Sequence, residues 1–340
     1  MPSLELLLGG VMLVSLTFYA LLAGADYGGG VWDLFASGPR AKGQRELIAK
    51  AIAPIWEANH VWLILVVVVL FTAFPKAYAL ISTSLHVALL LLLLGVVLRG
   101  SAFIFRTNET TRGQAKWQWG HVFAVASLCT PVLLGVVVGA ISSDSIRAPS
   151  EHEALAYFLT WAAPFPFAVG LFALVLFALL AAVYLTLETD DRALQDDFRR
   201  RGIACEVLAA LMALVVFLLS EHDAPAIREQ LANSWWTWPL QLATALAALA
   251  TLAALWGRRF QLARFCAAGQ VALILWGWAL AQYPYLVRPE LTIHNSAAPP
   301  AVMRALVWAL AAGVVLLFPS YWYLFHVFKG RTQTSPVRHG

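Results

Sequence analysis

Nine long apolar runs leave this chain few ways to fold. They occupy approximately residues 5–27, 51–74, 78–98, 118–141, 158–187, 203–220, 238–256, 262–284 and 301–327. A bilayer's hydrocarbon core is about 30 Å thick and takes roughly 20 helical residues to cross. Inside it every backbone group must be paired within a helix or a closed barrel. Barrel strands would be about ten residues long with a period of two, whereas runs such as 63–71 and 87–98 are continuously apolar. The expected fold is therefore all-α: a polytopic membrane protein of nine transmembrane helices, forming one integral membrane domain over residues 1–330 with a tail at 331–340. Composition agrees, with 61% hydrophobic and 12% charged residues against about 25% charged in soluble domains.

The basic residues orient these spans. Eighteen of the 23 lysines and arginines fall after the odd-numbered spans and in the tail, leaving five, Lys76, Arg147, Arg228, Arg288 and Arg304, on the other side. The positive-inside rule makes the richer side cytoplasmic, with the N-terminus outside (periplasmic) and the C-terminus inside. The net charge of +4 follows from this asymmetry and does not signal nucleic-acid binding. The connecting loops are too short to hold a soluble domain. The first run lacks a basic leader and exceeds a signal core, so a retained helix is expected. Cys129, Cys205 and Cys266 have no metal-ligand spacing and read as small buried hydrophobes.

Against this apolar background the segment Trp56-Glu57-Ala58-Asn59-His60-Val61-Trp62 stands out. An ionisable residue at a membrane helix centre costs about 2.5–3.5 kcal/mol on insertion scales and usually lines an ion path, pairs with a partner or touches a ligand. With the span starting near Lys50, Glu57 is expected roughly 10 Å and His60 roughly 15 Å in. Their spacing of three puts them on one helix face, with Trp56 and Asn59 beside them. In span one, Asp26 and Asp33 are seven apart on one stripe. The glycines around them let another helix approach closely. Asp26, Asp33, Glu57 and His60 thus fall in the cytoplasmic half, as a proton-uptake path requires. The plainer alternative is that such acids pair with nearby loop arginines.

His86 is expected near the midplane of span three, His121 at the start of span four and His326 near the end of the last. Lone intramembrane histidines are more often packing residues than haem ligands. Aromatic residues near span ends, Trp117, Trp119, Trp235, Trp236 and Trp322 among them, fit an interfacial belt. A quinone site is the sharper reading of the same residues, and Trp56 and Trp62 are not terminal.

These residues resemble subunit II of the cytochrome bd-type quinol oxidases. The family's Asp-Gly-Phe-Asp motif is similar to Ala23-Gly24-Ala25-Asp26-Tyr27-Gly28. Its Ala-Pro-x-Trp-Asp-Gly-Asn-x-x-Trp-Leu is similar to the stretch from Ala53 through Trp56, Glu57, Asn59 and Trp62 to Leu63. Its Leu-Phe-x-Ala-Phe-Pro is present as Leu70-Phe71-Thr72-Ala73-Phe74-Pro75. Its arginine motif resembles Leu98-Arg99-Gly100-Ser101-Ala102-Phe103-Ile104-Phe105-Arg106. The strong motifs cover residues 20–140.

The resemblance implies a nine-helix subunit of two four-helix bundles plus a peripheral helix, in a bacterial inner membrane. It implies a heterodimer with a haem-bearing subunit I that holds haem b and haem d type groups, oxidises quinol and reduces oxygen to water in the respiratory chain. This chain would bind no haem or metal and would not be active alone. It would help line the cytoplasmic proton route, with Glu57 and Asp26 matching family acids and Trp56, Asn59, Trp62, Arg99 and Arg106 as structural motif residues. A bound quinone or lipid and a small single-helix accessory subunit are further candidates. The sequence departs at Ala23 and Ile104, where the family has acids, at Ala58, and at His60. Two readings compete: a proton-coupled secondary transporter using Glu57 and His60 at midplane, and a subunit that itself binds haem through His60 or His86.

Overall fold

The computed structural model describes residues 3–52, 56–107, 114–146 and 161–329. Twelve helices are described: α1 (Leu4–Leu34), α2 (Ala41–Ile52), α3 (Trp56–Ala73), α4 (Pro75–Ser84), α5 (His86–Thr107), α6 (Gln114–Ser142), α7 (Pro164–Leu185), α8 (Arg192–Asp223), α9 (Pro225–Asn233), α10 (Thr237–Trp256), α11 (Phe260–Gln282) and α12 (Pro300–Lys329). A two-stranded antiparallel hairpin, β1 (Tyr285–Val287) and β2 (Leu291–Thr292), pairs Tyr285 with Thr292. Eight described helices are long and apolar enough to cross a membrane, and a ninth is counted if the bent pair α2 and α3 makes one span.

Two boundaries differ from the sequence expectation. The helix placed at 51–74 begins, as α3, at Trp56, and α2 before it is a separate amphipathic helix. Its Gln44, Leu47, Ile48 and Ile52 are buried, while its charged residues share the opposite face. The run placed at 78–98 is split at Leu85 into α4 and α5. His86 therefore opens α5 on the surface, its Nδ1 2.8 Å from the Thr83 carbonyl, and not near the midplane. Arg99, assigned to a loop, lies inside α5 and is buried. Of the three cysteines only Cys205 is fully buried, and Cys129 is exposed. The side chains of Trp56, Trp117 and His326, and the 331–340 tail, lie outside the described residues.

Local signals set several helix ends. The Ser3 hydroxyl accepts from the Leu6 N–H at the start of α1. The Asp191 carboxylate accepts from the Ala193 N–H at the start of α8. Proline stands in the first turn of α4, α7 and α9, where its missing N–H costs nothing.

The helices form two groups of four, α1–α3–α5–α6 and α7–α8–α10–α11, joined along α7, with α12 against α1 and α3. Burial follows this plan: 61% of the most apolar window of α7 is buried, against 6% for α12. Without a hydrophobic drive between helices in lipid, close backbone approach supplies the packing energy. Two small-xxx-small pairs, Gly24/Gly28 on α1 and Gly135/Gly139 on α6, provide it against α7. A Cβ on Gly28 would meet the Phe177 carbonyl oxygen at 2.0 Å, and one on Gly135 would meet the Gly170 Cα at 2.6 Å.

The basic ends of the spans gather at one end of the molecule. There Arg40 forks onto Asp197 at 2.6 and 2.8 Å, Arg201 donates to Gln44, and Arg258 donates to Asp196. The hairpin closes the opposite end of α3 and α6: the Ala298 N–H donates to the Ala73 carbonyl and the Arg288 N–H to the Ile141 carbonyl.

Candidate functional site

The polar residues singled out in the sequence converge where α1, α3, α5 and α6 pack together. On α1 a seven-residue repeat puts Tyr19, Asp26 and Asp33 on one stripe, and the i,i+4 neighbours Ala23 and Tyr27 widen it. All five are buried. Opposite them, the first turns of α3 present Asn59 and His60.

Asp26 is only 7% exposed. Its Oδ2 accepts a 2.6 Å hydrogen bond from the Asn59 Nδ2, and Asn59 is fully buried. This bond joins α1 to α3 by a carboxylate–amide pair. The half-buried His60 ring stands 6.0 Å from the Tyr19 ring and 6.2 Å from that of Tyr27, edge-on to the latter. The two tyrosine hydroxyls are 3.3 Å apart.

Arg99 reaches this cluster from α5. It is 2% exposed, with its guanidinium 4.6 Å from the Tyr27 ring centroid and 5.5 Å from that of Phe123. Aromatic faces offset part of the desolvation of a buried cation, by about 2 kcal/mol or more in dry sites. Its Nε and Nη2 are buried without a hydrogen-bond partner among the described residues. Arg106, two turns on, is placed differently. It grips Asp33 with two parallel bonds of 2.7 and 2.8 Å, and its guanidinium lies 5.1 Å from the Phe123 ring centroid.

Glu57 stands apart. It occupies the first turn of α3, and its side chain is exposed. His60 lies only about 6 Å along the axis from the start of α3. The sequence reading counted depth from Lys50 instead. Glu57 leads a stripe that continues through Val61, Ile64, Val68 and Phe71, all exposed in this chain. Trp62, on the other side of α3, is buried and stacks on Phe18 at 4.6 Å.

A surface cavity of about 600 Å³ opens at the basic end of the cluster. Asp33 and Arg106 line it together with Lys42, Arg45, Glu46 and His121. Among the described residues there is no group of three or more His, Cys, Asp or Glu side chains that could hold a metal ion.

The structure thus brings together Asp26, Asn59, His60 and Arg99, ties Asp33 to Arg106, and leaves Glu57 on the surface. The arginine pairing weighed as the plain alternative applies to Asp33. Sequence reasoning did not single out Tyr19 and Tyr27, although their eight-residue spacing on the Asp26 stripe was legible. It also missed a second buried carboxylate–amide pair, in which the Gln270 Nε2 donates to the Glu206 Oε1 at 2.7 Å. The available signal was a lone Glu within an apolar run.

Comparison with known proteins adds a family. The profile described as Cytochrome bd terminal oxidase subunit II matches residues 4–328. The "Cytochrome bd-I ubiquinol oxidase subunit 2" of Escherichia coli K12 is 31% identical over 218 residues, 63% of this chain and 54% of that protein, so the match spans about half the length of the relative. The "Putative cytochrome bd menaquinol oxidase subunit II" of Bacillus subtilis is 20% identical over 321 residues, 91% of each chain. A chain of the solved bd oxidase from Geobacillus thermodenitrificans superposes with a TM-score of 0.78 at 24% identity, covering 96% of this chain and 98% of that one. That likeness concerns the fold.

Proposed function

Because the chain belongs to the cytochrome bd terminal oxidase subunit II family, we propose that it is the subunit of a quinol:oxygen oxidoreductase that braces a haem-bearing subunit I and carries protons toward it from the cytoplasm. The complex would sit in the bacterial inner membrane with the basic end of this chain inside. Haem b and haem d type groups would belong to the partner, where they supply the oxygen chemistry. This chain's residues would deliver protons and hold the partner's flank.

The buried Asp26–Asn59 pair carries this reading. A carboxylate 7% exposed between apolar helices costs stability unless it is bonded and used. The bond from Asn59 fixes the orientation of the carboxylate. Asp33 and Arg106 mark the mouth at the polar surface cavity. Glu57, on a stripe otherwise made of apolar side chains, fits a surface covered by the partner, where a lone exposed carboxylate in lipid would be costly. His60 and the Tyr19–Tyr27 hydroxyl pair extend the polar set inward from Asp26.

The test uses the assembled oxidase. Asp26→Asn and Glu57→Gln are each expected to slow oxygen consumption with quinol while leaving the haem absorption spectrum and subunit ratio unchanged. Wild-type turnover in both would remove these acids from the proton route. Purification of the chain as a haem-free homomer lacking any partner would overturn the assignment of the complex.

A further inference from the structure

The second carboxylate–amide pair lies outside the site just described. Glu206, on α8, is 2% exposed and Gln270, on α11, is 4% exposed. Both border a cavity of about 620 Å³ that opens among α1, α6, α7, α8, α9, α10 and α11. Its walls are mainly apolar, with Phe172, Ala209, Ala213 and Ile274 among them. Glu206 is five residues from Arg201, about 7.5 Å along the helix axis, so it lies toward the basic end of the bundle.

The hydrogen-bond inventory of this pair is incomplete in a specific way. The Gln270 Nε2 donates to the Glu206 Oε1 at 2.7 Å. The Glu206 Oε2 and the Gln270 Oε1 are both buried, and neither has a hydrogen-bond partner among the described residues. As an ionised carboxylate, Glu206 has only acceptors to offer. Two buried acceptors would then stay unpaired, at a cost of about 1–3 kcal/mol each and more for a charged group. One proton on the Glu206 Oε2 turns it into a donor, and the unpaired Oε1 of the amide that already bonds its other oxygen is the acceptor it needs. A carboxylic acid and a primary amide then close a ring of two hydrogen bonds, which satisfies both orphans and removes the buried charge.

The surroundings offer no counter-charge. Among the described residues lining the cavity, α1 contributes Tyr19, and α6, α7, α10 and α11 contribute no Lys, Arg, His, Asp or further Glu. On α8 itself the adjacent titratable group is Cys205, which is buried. Among the described residues that line the cavity, no cation is placed to hold Glu206 as an anion.

We propose that Glu206 and Gln270 form a proton-binding site in the second helix bundle, holding one proton between acid and amide as a neutral pair. Beyond the pair the walls of the cavity are mainly apolar.

Glu206→Gln is the informative variant, because a second amide places an N–H where the acid proton would stand and keeps the ring. The protein is purified from its membrane with the chains that accompany it, and its infrared spectrum is compared with that of the variant. The expected wild-type spectrum holds a carboxylic-acid carbonyl band that shifts in heavy water and is lost in Glu206→Gln. The variant's melting temperature should match or exceed the wild type's. Gln270→Leu is expected to keep the acid band and move it to higher frequency, since the carbonyl loses its donor. A difference spectrum showing only carboxylate bands, as an ionised Glu206 bridged by water would give, overturns the proposal. So does an acid band that Gln270→Leu leaves in place. Neither outcome depends on turnover, so this site and the Asp26 route stand or fall separately.

Discussion

The two halves of this subunit carry the same device in different settings. In each, a buried carboxyl is joined to a buried amide on a neighbouring helix, Asp26 with Asn59 at 2.6 Å and Glu206 with Gln270 at 2.7 Å. Around Asp26 stand two tyrosines, a histidine and, over the Tyr27 ring, the buried Arg99. Around Glu206 stand apolar walls. A polar neighbourhood gives a proton somewhere to go, whereas an apolar one holds it in place. The comparison teaches that a buried acid's use is set less by its partner than by the next shell. Tyr19 belongs to both settings, since it meets Tyr27 on one side and lines the Glu206 cavity on the other.

The harshest way to break the comparison is to separate the bundles. Gly28→Leu puts a side chain where even a Cβ meets the Phe177 carbonyl oxygen at 2.0 Å. It is expected to abolish recovery of the folded complex, read by size-exclusion chromatography of the detergent extract. Less drastic is Asp26→Asn, expected to lower quinol-driven oxygen uptake by roughly a hundredfold, within the range for a lost proton-transfer group. An oxygen electrode would detect this, and full activity would place the first pair with the second as a static contact.

Next comes the anchor at the mouth. Arg106→Leu leaves the buried Asp33 without the guanidinium that grips it, a loss of about 3–5 kcal/mol for a broken buried pair. The melting temperature should fall in that variant and recover in the double variant with Asp33→Asn. If the double variant melts as low as the single one, the pair is not what holds α1 to α5. The smallest effect is expected from Glu206→Gln on turnover, about twofold or less, in line with the near-neutral swap of a satisfied group. A loss comparable to that of Asp26→Asn would make the two sites one route.

Much of the plan was legible in the chain. The apolar runs marked the spans, the Gly24/Gly28 and Asp26/Asp33 spacings marked a packed polar stripe, and the motifs pointed to the family. Most of the amphipathic α2 was read as the loop before the second span, because its charged residues mask the buried face of Gln44, Leu47, Ile48 and Ile52. Arg99 was read as a loop residue because the apolar run before it ends at Leu98. Packing between Tyr27 and Phe123 is what makes it tolerable.

What the sequence by itself determined was local: where helices form, how long they are, and which of their ends carry positive charge. Those follow from hydropathy and from a helix's fixed rise and period, which any short window contains. What only the tertiary structure decided was which polar atoms meet. Asp26 finds Asn59 across 33 positions, Glu206 finds Gln270 across 64, and Asp33 finds Arg106 across 73. Hydropathy treats each of these residues as an isolated cost. In a membrane that cost is met by a partner on another helix, and the choice of partner depends on how glycine-lined faces bring the helices together.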